Sequence, residues 1–303
     1  MDEALNVSYI TLGGYVDMDK YRYVYCVVLY AVFTLILCCN SSIIFLIVKH
    51  PNLHEPMYTF IAALLINSVL FSIIIYPKLL IDTFSEKQTV SYAACLFQAV
   101  SYYIVAYSEF LLLSAMAYDR YVSICKPLQY AAIMKKTTVN VCLVLAWFVP
   151  VCEVTGAVAV NFNMELCNLT LRGIFCNNSL YRLFCVRTEA LSVYGMVLLF
   201  NLGLLPVLFI LFTYGRILLI SYQSCREVRV KAAQTCLPHL MVLINFSCFF
   251  TFDVCIVRLE SNIPKTAHLM MTLQVVLYHP LINPIIYGLK MTEIYKHLRR
   301  LFC

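Results

Sequence analysis

Residues 116–130 read MAYDRYVSICKPLQY and follow directly on a long apolar run. A charged pair is costly in hydrocarbon, and Asp119 and Arg120 are therefore expected at a membrane face rather than in its centre. Lys126 and Pro127 then open a basic, proline-broken loop. The stretch predicts the end of a membrane-spanning helix.

The composition supports a membrane protein. Of the 303 residues, 62% are hydrophobic and 13% are charged, and the mean hydropathy is +0.82. Soluble globular domains carry about 25% charged residues. The net charge of +6 is spread over loops instead of forming a patch, and no nucleic-acid partner is expected. The composition therefore indicates one all-α domain in a bilayer.

Seven apolar stretches are long enough to cross a bilayer, which takes about 20 residues in a helix. Helices are expected because each satisfies its own backbone hydrogen bonds in lipid. The predicted spans are Tyr23–Val48, Met57–Leu80, Ala93–Tyr118, Val139–Asn161, Leu191–Tyr222, Ala232–Val257 and Ala267–Leu289.

The charged loops orient these spans. An odd number of spans separates the termini, and an external amino terminus puts most of the 22 Lys and Arg residues inside, as the positive-inside rule requires. Residues 1–22 then form an extracellular segment, 23–289 the membrane domain, and 290–303 a cytoplasmic amphipathic helix and tail attracted to anionic lipid. Sequons at Asn6, Asn168 and Asn177 fall outside, where glycans are added.

Cysteines follow the same division. Four of the 15 lie in the proposed outer loops, at Cys95, Cys167, Cys176 and Cys185. Disulfides persist in the oxidising exterior. Four cysteines permit three pairings, and the sequence alone does not choose among them.

The third span carries a line of functional side chains. Steps of three or four residues place on one helix face Tyr102, Ala106, Glu109, Leu113, Met116 and Arg120. Glu109 is the acid predicted deep in a span, where a carboxylate must find a cation, a donor or a proton. Two readings stand: a protonated acid bonded to a neighbouring helix, or a sodium-binding or proton-linked switch that holds the resting state.

The residues quoted so far, with several others, resemble odorant receptors of the rhodopsin-like G protein-coupled receptor family, with details closest to those of bony fishes. Residues 116–130 resemble the odorant-receptor signature. Further marks are Asn40, LHEPMY at 53–58, Trp147, Tyr214, KAAQTCLPHL at 231–240 and PLINPIIY at 280–287. Two departures occur: Gln234 replaces a usual Ser, and Ser68, beside Asn67, replaces the usual sodium-anchoring Asp.

The resemblance implies roles for particular positions. It implies the disulfides Cys95–Cys176 and Cys167–Cys185. It implies a polar core made of Asn40, Asn67, Ser68 and Glu109. No cofactor is expected, because Ser68 removes one carboxylate of the usual sodium site, and a sodium ion near Glu109 is the one candidate. It implies a G protein-coupling switch made of Asp119, Arg120, Tyr121, Tyr214, Lys231, Asn283, Pro284 and Tyr287.

Helical phase and family position together suggest an outer ligand pocket. Its predicted residues are Tyr102, Tyr103, Ala106, Tyr107, Leu198, Leu202, Phe250, Thr251, Val254 and Leu273. Amine receptors of this family carry an Asp where Tyr102 stands, and an organic amine held there is disfavoured. The expected partners are a small odorant and a stimulatory, cAMP-raising G protein, at the plasma membrane of olfactory cilia.

Other functions are weighed against this one. A non-odorant receptor for a lipid or peptide is the alternative within the class, and a ligand-gated channel or transporter is the alternative outside it. Transporters usually show repeated halves, and no repeat is visible here. An enzyme is not expected, because the chain has no His-Glu-x-x-His or Gly-x-Ser-x-Gly motif.

Overall fold

The computed structural model describes residues 9–160, 166–185, 189–222, 226–258 and 264–302. Within these ranges seven long helices follow one another: helix one Met18–Lys49, helix two Pro56–Phe84, helix three Tyr92–Cys125, helix four Lys136–Val160, helix five Glu189–Tyr222, helix six Arg226–Arg258 and helix seven Lys265–Lys290. A terminal helix spans Thr292–Phe302. Short helical turns lie at Pro51–Leu53, Pro127–Gln129, Tyr130–Ile133 and Asn178–Arg182, and a π-helical turn at Leu199–Leu204 interrupts helix five.

Six of these helices are long and apolar enough to cross a membrane, counted over the described residues. Helix six contains a shorter apolar stretch, Cys236–Thr251. The predicted seven-helix bundle is thus confirmed, with longer helices than the sequence indicated. Helix three continues past Tyr118 to Cys125, because Asp119 and Arg120 stay buried against neighbouring helices.

Helix three lies at the centre of the bundle, in contact with helices two, four, five and six. Its most apolar window is 61% buried, whereas that of helix four is 17% buried. The contrast has a simple cause: a peripheral helix turns most of its apolar surface outward, where lipid replaces protein as its neighbour. Helix three can therefore connect distant parts of the bundle.

Helix seven contains two prolines, and side chains of other helices bind the backbone carbonyls that these prolines leave without a helical partner. A proline has no N–H, so the carbonyl four residues earlier loses its helical partner. Pro284 frees the carbonyl of Pro280, which accepts from Asn40 Nδ2 at 3.1 Å. Pro280 frees the carbonyl of Val276, which accepts from the Tyr76 hydroxyl at 3.2 Å. These bonds fix helix seven against helices one and two.

A small sheet covers the end of the bundle at which helix one begins. This is the end predicted to face outward, and it is called the outer end. Among the described residues its strands are β1 Tyr9–Leu12, β2 Thr89–Ser91 and β3 Thr170–Leu171, in the order β2-β1-β3. The β1–β2 pair is antiparallel with Tyr9 opposite Ser91, and the β1–β3 pair is parallel with Thr11 opposite Thr170.

The sequence analysis assigned residues 1–22 to an extracellular segment, of which the structure describes the part from residue 9 onward. Ile10 and Leu12 are buried under the second outer loop, and helix one begins at Met18 instead of Tyr23. Gly14 sits so close to this loop that an added Cβ would lie 2.5 Å from the backbone of Gly173. The segment before helix one is therefore part of the folded outer face.

Two disulfides hold this face together. Cys95, in helix three, bonds to Cys176 of the second outer loop, and Cys167 bonds to Cys185 within that loop. Both pairs are those that the family resemblance implied. The first bridge holds the loop over the outer end of helix three.

Candidate functional site

A cavity of about 410 Å³ opens beneath the second outer loop, between helices three, four, five and six. Four of the ten predicted ligand residues line it, namely Tyr103, Tyr107, Leu198 and Val254. Most of its other walls are apolar side chains of helices three, four and five. Its size and apolar character suit a small organic molecule.

The remaining predicted ligand residues do not line this cavity. Tyr102 packs between Phe71 and Phe175, with ring centroids 5.7 and 5.3 Å away. Thr251 is exposed on the outside of helix six. Buried or half-buried without lining the cavity are Ala106, Leu202, Phe250 and Leu273. The cavity thus lies toward helices four and five. Leu273 was predicted on helix seven, which is on the other side of the bundle from this cavity.

Sequence reasoning missed two walls of the cavity. Helix four contributes Val154, Ala157 and Val158, and the outer loop contributes Asn177 and Asn178. Nothing in the local sequence of either segment signals a binding surface. Only the Cys95–Cys176 bridge, which places the loop over helix three, offered a hint.

One end of the cavity is polar. The Tyr103 hydroxyl donates to Asp253 Oδ2 at 3.1 Å, and Asn177 Nδ2 donates to Asp253 Oδ1 at 2.7 Å. The backbone N–H of Asn178 donates to the Tyr103 hydroxyl at 2.9 Å. Asp253 is 8% exposed. The sequence analysis singled out Glu109 as the acid deep in a span and did not select Asp253, which the structure buries between helices three and six.

The structure describes two of the three predicted glycosylation sites, and they differ in exposure. Asn168 is exposed on the outer loop. Asn177 is 7% exposed, and its amide nitrogen, the atom to which a glycan would be joined, is bonded to Asp253. A glycan at Asn177 is incompatible with this arrangement. Asn6 lies outside the described residues.

Glu109 is the centre of a buried polar cluster in the middle of the bundle. Asn67 Nδ2 donates to its Oε2 at 3.2 Å, and Asn283 Nδ2 donates to its Oε1 at 3.0 Å. Asn283 also donates to Ser68 Oγ at 2.9 Å, and the Trp147 indole donates to Asn67 Oδ1 at 3.3 Å. Helices two and seven are therefore joined to helix three through one carboxylate, and helix four is joined to this cluster through Asn67. Asn40, predicted for the same core, instead binds the Pro280 carbonyl.

His279 is a member of this cluster that sequence reasoning did not select. Its Nε2 lies 3.1 Å from Glu109 Oε2, and both side chains are buried. The two atoms lack hydrogen-bond geometry, so the contact is one of proximity. The groups that approach Glu109 are thus nitrogens. A sodium ion takes oxygen ligands, and these residues do not fit one as they are arranged.

The inner end of helix three holds the Asp–Arg pair. Arg120 Nε donates to Asp119 Oδ2 at 2.9 Å, and a second guanidinium nitrogen bonds to the same oxygen. The Tyr130 hydroxyl donates to Asp119 Oδ1 at 2.8 Å. Burial and the Asp119 charge raise the pKa of Tyr130 above its ordinary value, and its phenol keeps the proton that it donates. Charge-assisted hydrogen bonds thus tie the Arg120 guanidinium to Asp119, which Tyr130 holds from its other oxygen.

The other residues predicted for the switch lie in several parts of the bundle. Tyr287 is buried and lies 3.2 Å from His239 Nδ1 of helix six. Tyr214 is buried, and its hydroxyl makes no hydrogen bond within the described part of the chain. Tyr121 is half-buried against the core. Lys231 falls in helix six, where its side chain lies outside what the structure describes.

Comparisons with known proteins agree with this geometry. A family profile described as "Olfactory receptor" matches residues 28–303. Human olfactory receptor 10AG1 is 30% identical over 296 residues, which cover 96% of this chain and 97% of that protein. Mouse olfactory receptor 6E1 is 32% identical over 268 residues, covering 86% and 84%.

The crystal structure of squid rhodopsin superposes with a TM-score of 0.73 at 18% identity, covering 94% of this chain and 86% of that one. At this identity the superposition shows the fold alone. The family match covers most of the chain. The chain belongs to the olfactory receptor family, and is therefore a multi-pass membrane receptor that responds to small molecules through a G protein, and not an enzyme.

Proposed function

We propose that this receptor binds a small odorant in the cavity under the second outer loop and thereby activates a stimulatory, cAMP-raising G protein. The observation that carries the proposal is the Tyr103–Asp253 hydrogen bond, which joins helices three and six at the wall of the cavity. A ligand there contacts both helices and alters how they are held together.

Helix three can carry this change inward. Tyr103 and Arg120 lie on the same continuous helix, about 25 Å apart at 1.5 Å per residue. Between them, Glu109 is bonded to helices two and seven. An odorant that binds the active arrangement better than the resting one shifts the population toward release of Arg120 from Asp119. The freed arginine, with Tyr214 and helix six, forms the surface offered to the G protein.

The terminal helix supports a membrane-surface role. Ile294 is buried against the bundle, whereas Arg299 and Arg300 lie on the exposed side. Lys296 Nζ bonds to Glu293 Oε1 at 2.8 Å, and this contact lowers the pKa of Glu293. Exposed arginines of this kind attract anionic lipid. The proposed site of action is the plasma membrane of olfactory cilia, with the amino terminus outside.

The test is a cAMP assay in transfected cells against a broad panel of water-soluble odorants. At least one odorant is expected to raise cAMP, and Arg120→Ala should abolish the response at equal surface expression. Arg172→Ala, which removes a positive charge from the exposed outer loop, is the matched control and should respond normally.

Purified receptor separates the rival functions. The proposal requires that odorant accelerate guanine-nucleotide exchange on the G protein. Ligand-dependent ion or solute flux through liposomes, with no effect on nucleotide exchange, would instead establish a channel or transporter. A response restricted to lipids or peptides would establish a non-odorant receptor.

A further inference from the structure

We infer that the cavity recognises an organic amine, whose positive charge is held by Asp253 of helix six and whose apolar body fills the rest of the space. The inference rests on the proposed ligand cavity and names the chemical class of its ligand. It reverses the sequence-based expectation, which disfavoured amines because Tyr102 stands where amine receptors carry an acid.

The first argument is the state of the Asp253 carboxylate. It is buried, and within the described part of the chain it accepts hydrogen bonds from neutral groups, among them the Tyr103 hydroxyl and the Asn177 amide. Neutral donors orient a carboxylate without cancelling its charge. A buried anion is costly unless it is paired, so a cation that reaches it gains strongly.

The Asp253 carboxylate also lies within reach of a ligand in the cavity. Tyr103 and Asn177 both bond to Asp253 and both line the cavity, and Val254, the next residue of helix six, lines it too. The carboxylate therefore stands directly behind the polar end of the cavity, separated from it by the two side chains that it binds. The Tyr103 phenol, which bonds to Oδ2, is the side chain that a ligand must displace to reach that oxygen.

The third argument is the match between the cavity and a monoamine. Away from Asp253 most of the walls are apolar, including Leu96, Val100, Val154 and Leu198, and tyrosines line the remainder. One charge at one end and a mainly apolar surface elsewhere complement a molecule with a single ammonium group and an apolar body. A carboxylic acid would place a second negative charge beside Asp253 and is excluded.

Binding by this route changes the contact between helices three and six. The ammonium N–H replaces the Tyr103 O–H at Asp253 Oδ2, exchanging a hydrogen bond from a neutral donor for one from a charged donor, which is stronger. Tyr103 keeps its bond from the Asn178 backbone N–H but loses its link to helix six. Ligand recognition and the loosening of helix three from helix six are then the same event.

The test measures binding to purified receptor in lipid nanodiscs, without G protein. The probes are primary amines from butylamine to decylamine and phenethylamine, each compared with the alcohol and the carboxylic acid of the same skeleton. We expect the best amine to bind at least about tenfold more tightly than its alcohol, and the acids not to bind.

Three variants locate the charge. Asp253→Asn should raise the Kd of the best amine by about ten- to hundredfold, the range for loss of a hydrogen bond between charged groups, and leave the Kd of the alcohol unchanged. Asp82→Asn is the matched control: it alters another buried outer carboxylate, bonded to Lys78 and Tyr15 away from the cavity, and should leave the amine Kd unchanged. Tyr103→Phe removes the competing hydroxyl, and should preserve or tighten amine binding.

The inference is overturned if no amine of the panel binds more tightly than its alcohol, or if Asp253→Asn leaves amine affinity intact. If Asp253→Asn does not fold, the amine–alcohol comparison and Tyr103→Phe still decide, because weaker amine binding in Tyr103→Phe would assign recognition to the hydroxyl. Amine binding without nucleotide exchange would contradict the proposed function and leave this inference standing. Signalling by alcohols or acids alone would contradict this inference and leave the proposed function standing.

Discussion

Glu109→Gln is expected to raise signalling in the absence of odorant. In the structure both carboxylate oxygens accept hydrogen bonds, one from Asn67 and one from Asn283. The substitution turns one oxygen into an NH₂ group that faces another donor. Asn67 cannot turn its carbonyl toward the new NH₂ without losing the Trp147 indole, which donates to that carbonyl, and Asn283 cannot do so without losing its bond to Ser68 Oγ. One hydrogen bond to a charged group is thus lost and not replaced.

The size of the effect follows from that loss. A hydrogen bond to a charged group contributes about 1.5–3 kcal/mol. If the resting arrangement loses about 2 kcal/mol relative to the active one, the ratio of active to resting receptor rises roughly thirtyfold. Basal cAMP, normalised to receptor at the cell surface, measures this ratio. The same change at the exposed Glu86 of the first outer loop, Glu86→Gln, is the matched control and should leave it unaltered.

The reasoning fails if Glu109→Gln leaves surface expression, basal cAMP and the odorant response all unchanged. That result would mean that the cluster around Glu109 has the same strength in both states. A fall in surface expression alone, with basal cAMP per receptor unaltered, would assign Glu109 to stability instead of switching.

Two further outcomes concern stability. Asn40→Ala removes the donor to the Pro280 carbonyl of helix seven and should lower the free energy of unfolding by about 1–2 kcal/mol. Ser42→Ala removes a hydrogen bond within helix one and should change that free energy by less than about 0.5 kcal/mol. Thermal unfolding of the purified receptor compares the two variants, and equal shifts would refute the assignment. Cys95→Ser breaks the bridge to Cys176 and should lower the free energy of unfolding by about 2–5 kcal/mol, with loss of surface expression. Cys248→Ser, at an exposed free cysteine, should leave both unchanged. Normal surface expression of Cys95→Ser would show that the loop stays in place without the bridge.

Much of the molecule followed from the sequence because the relevant signals are local. A run of apolar residues long enough to cross a bilayer predicts a helix wherever it occurs. The polar residues Asn67, Glu109 and Asn283 were singled out individually, since a polar group in such a run needs a partner. Their mutual contact is tertiary, but it follows once three helices are assumed to face one another.

The binding site was harder to predict because its position depends on helix rotation. Successive residues point about 100° apart around a helix, so a small error in phase exchanges a cavity residue for a packed one. Tyr102 and Tyr103 illustrate this: the first packs between aromatic rings, and the second lines the cavity. Thr251 faces outward although Phe250, beside it, is buried.

By itself, the sequence determined that this chain crosses a membrane as a helical bundle, with an Asp–Arg pair at the end of helix three and a carboxylate in its middle, because hydropathy and charge act on each segment separately. Only the tertiary structure decided that the amino-terminal strand joins the outer sheet and that Asp253 lies buried behind the cavity. Both depend on contacts between residues far apart in the chain, where the tilt and rotation of each helix are set by its neighbours and by the bridged outer loop.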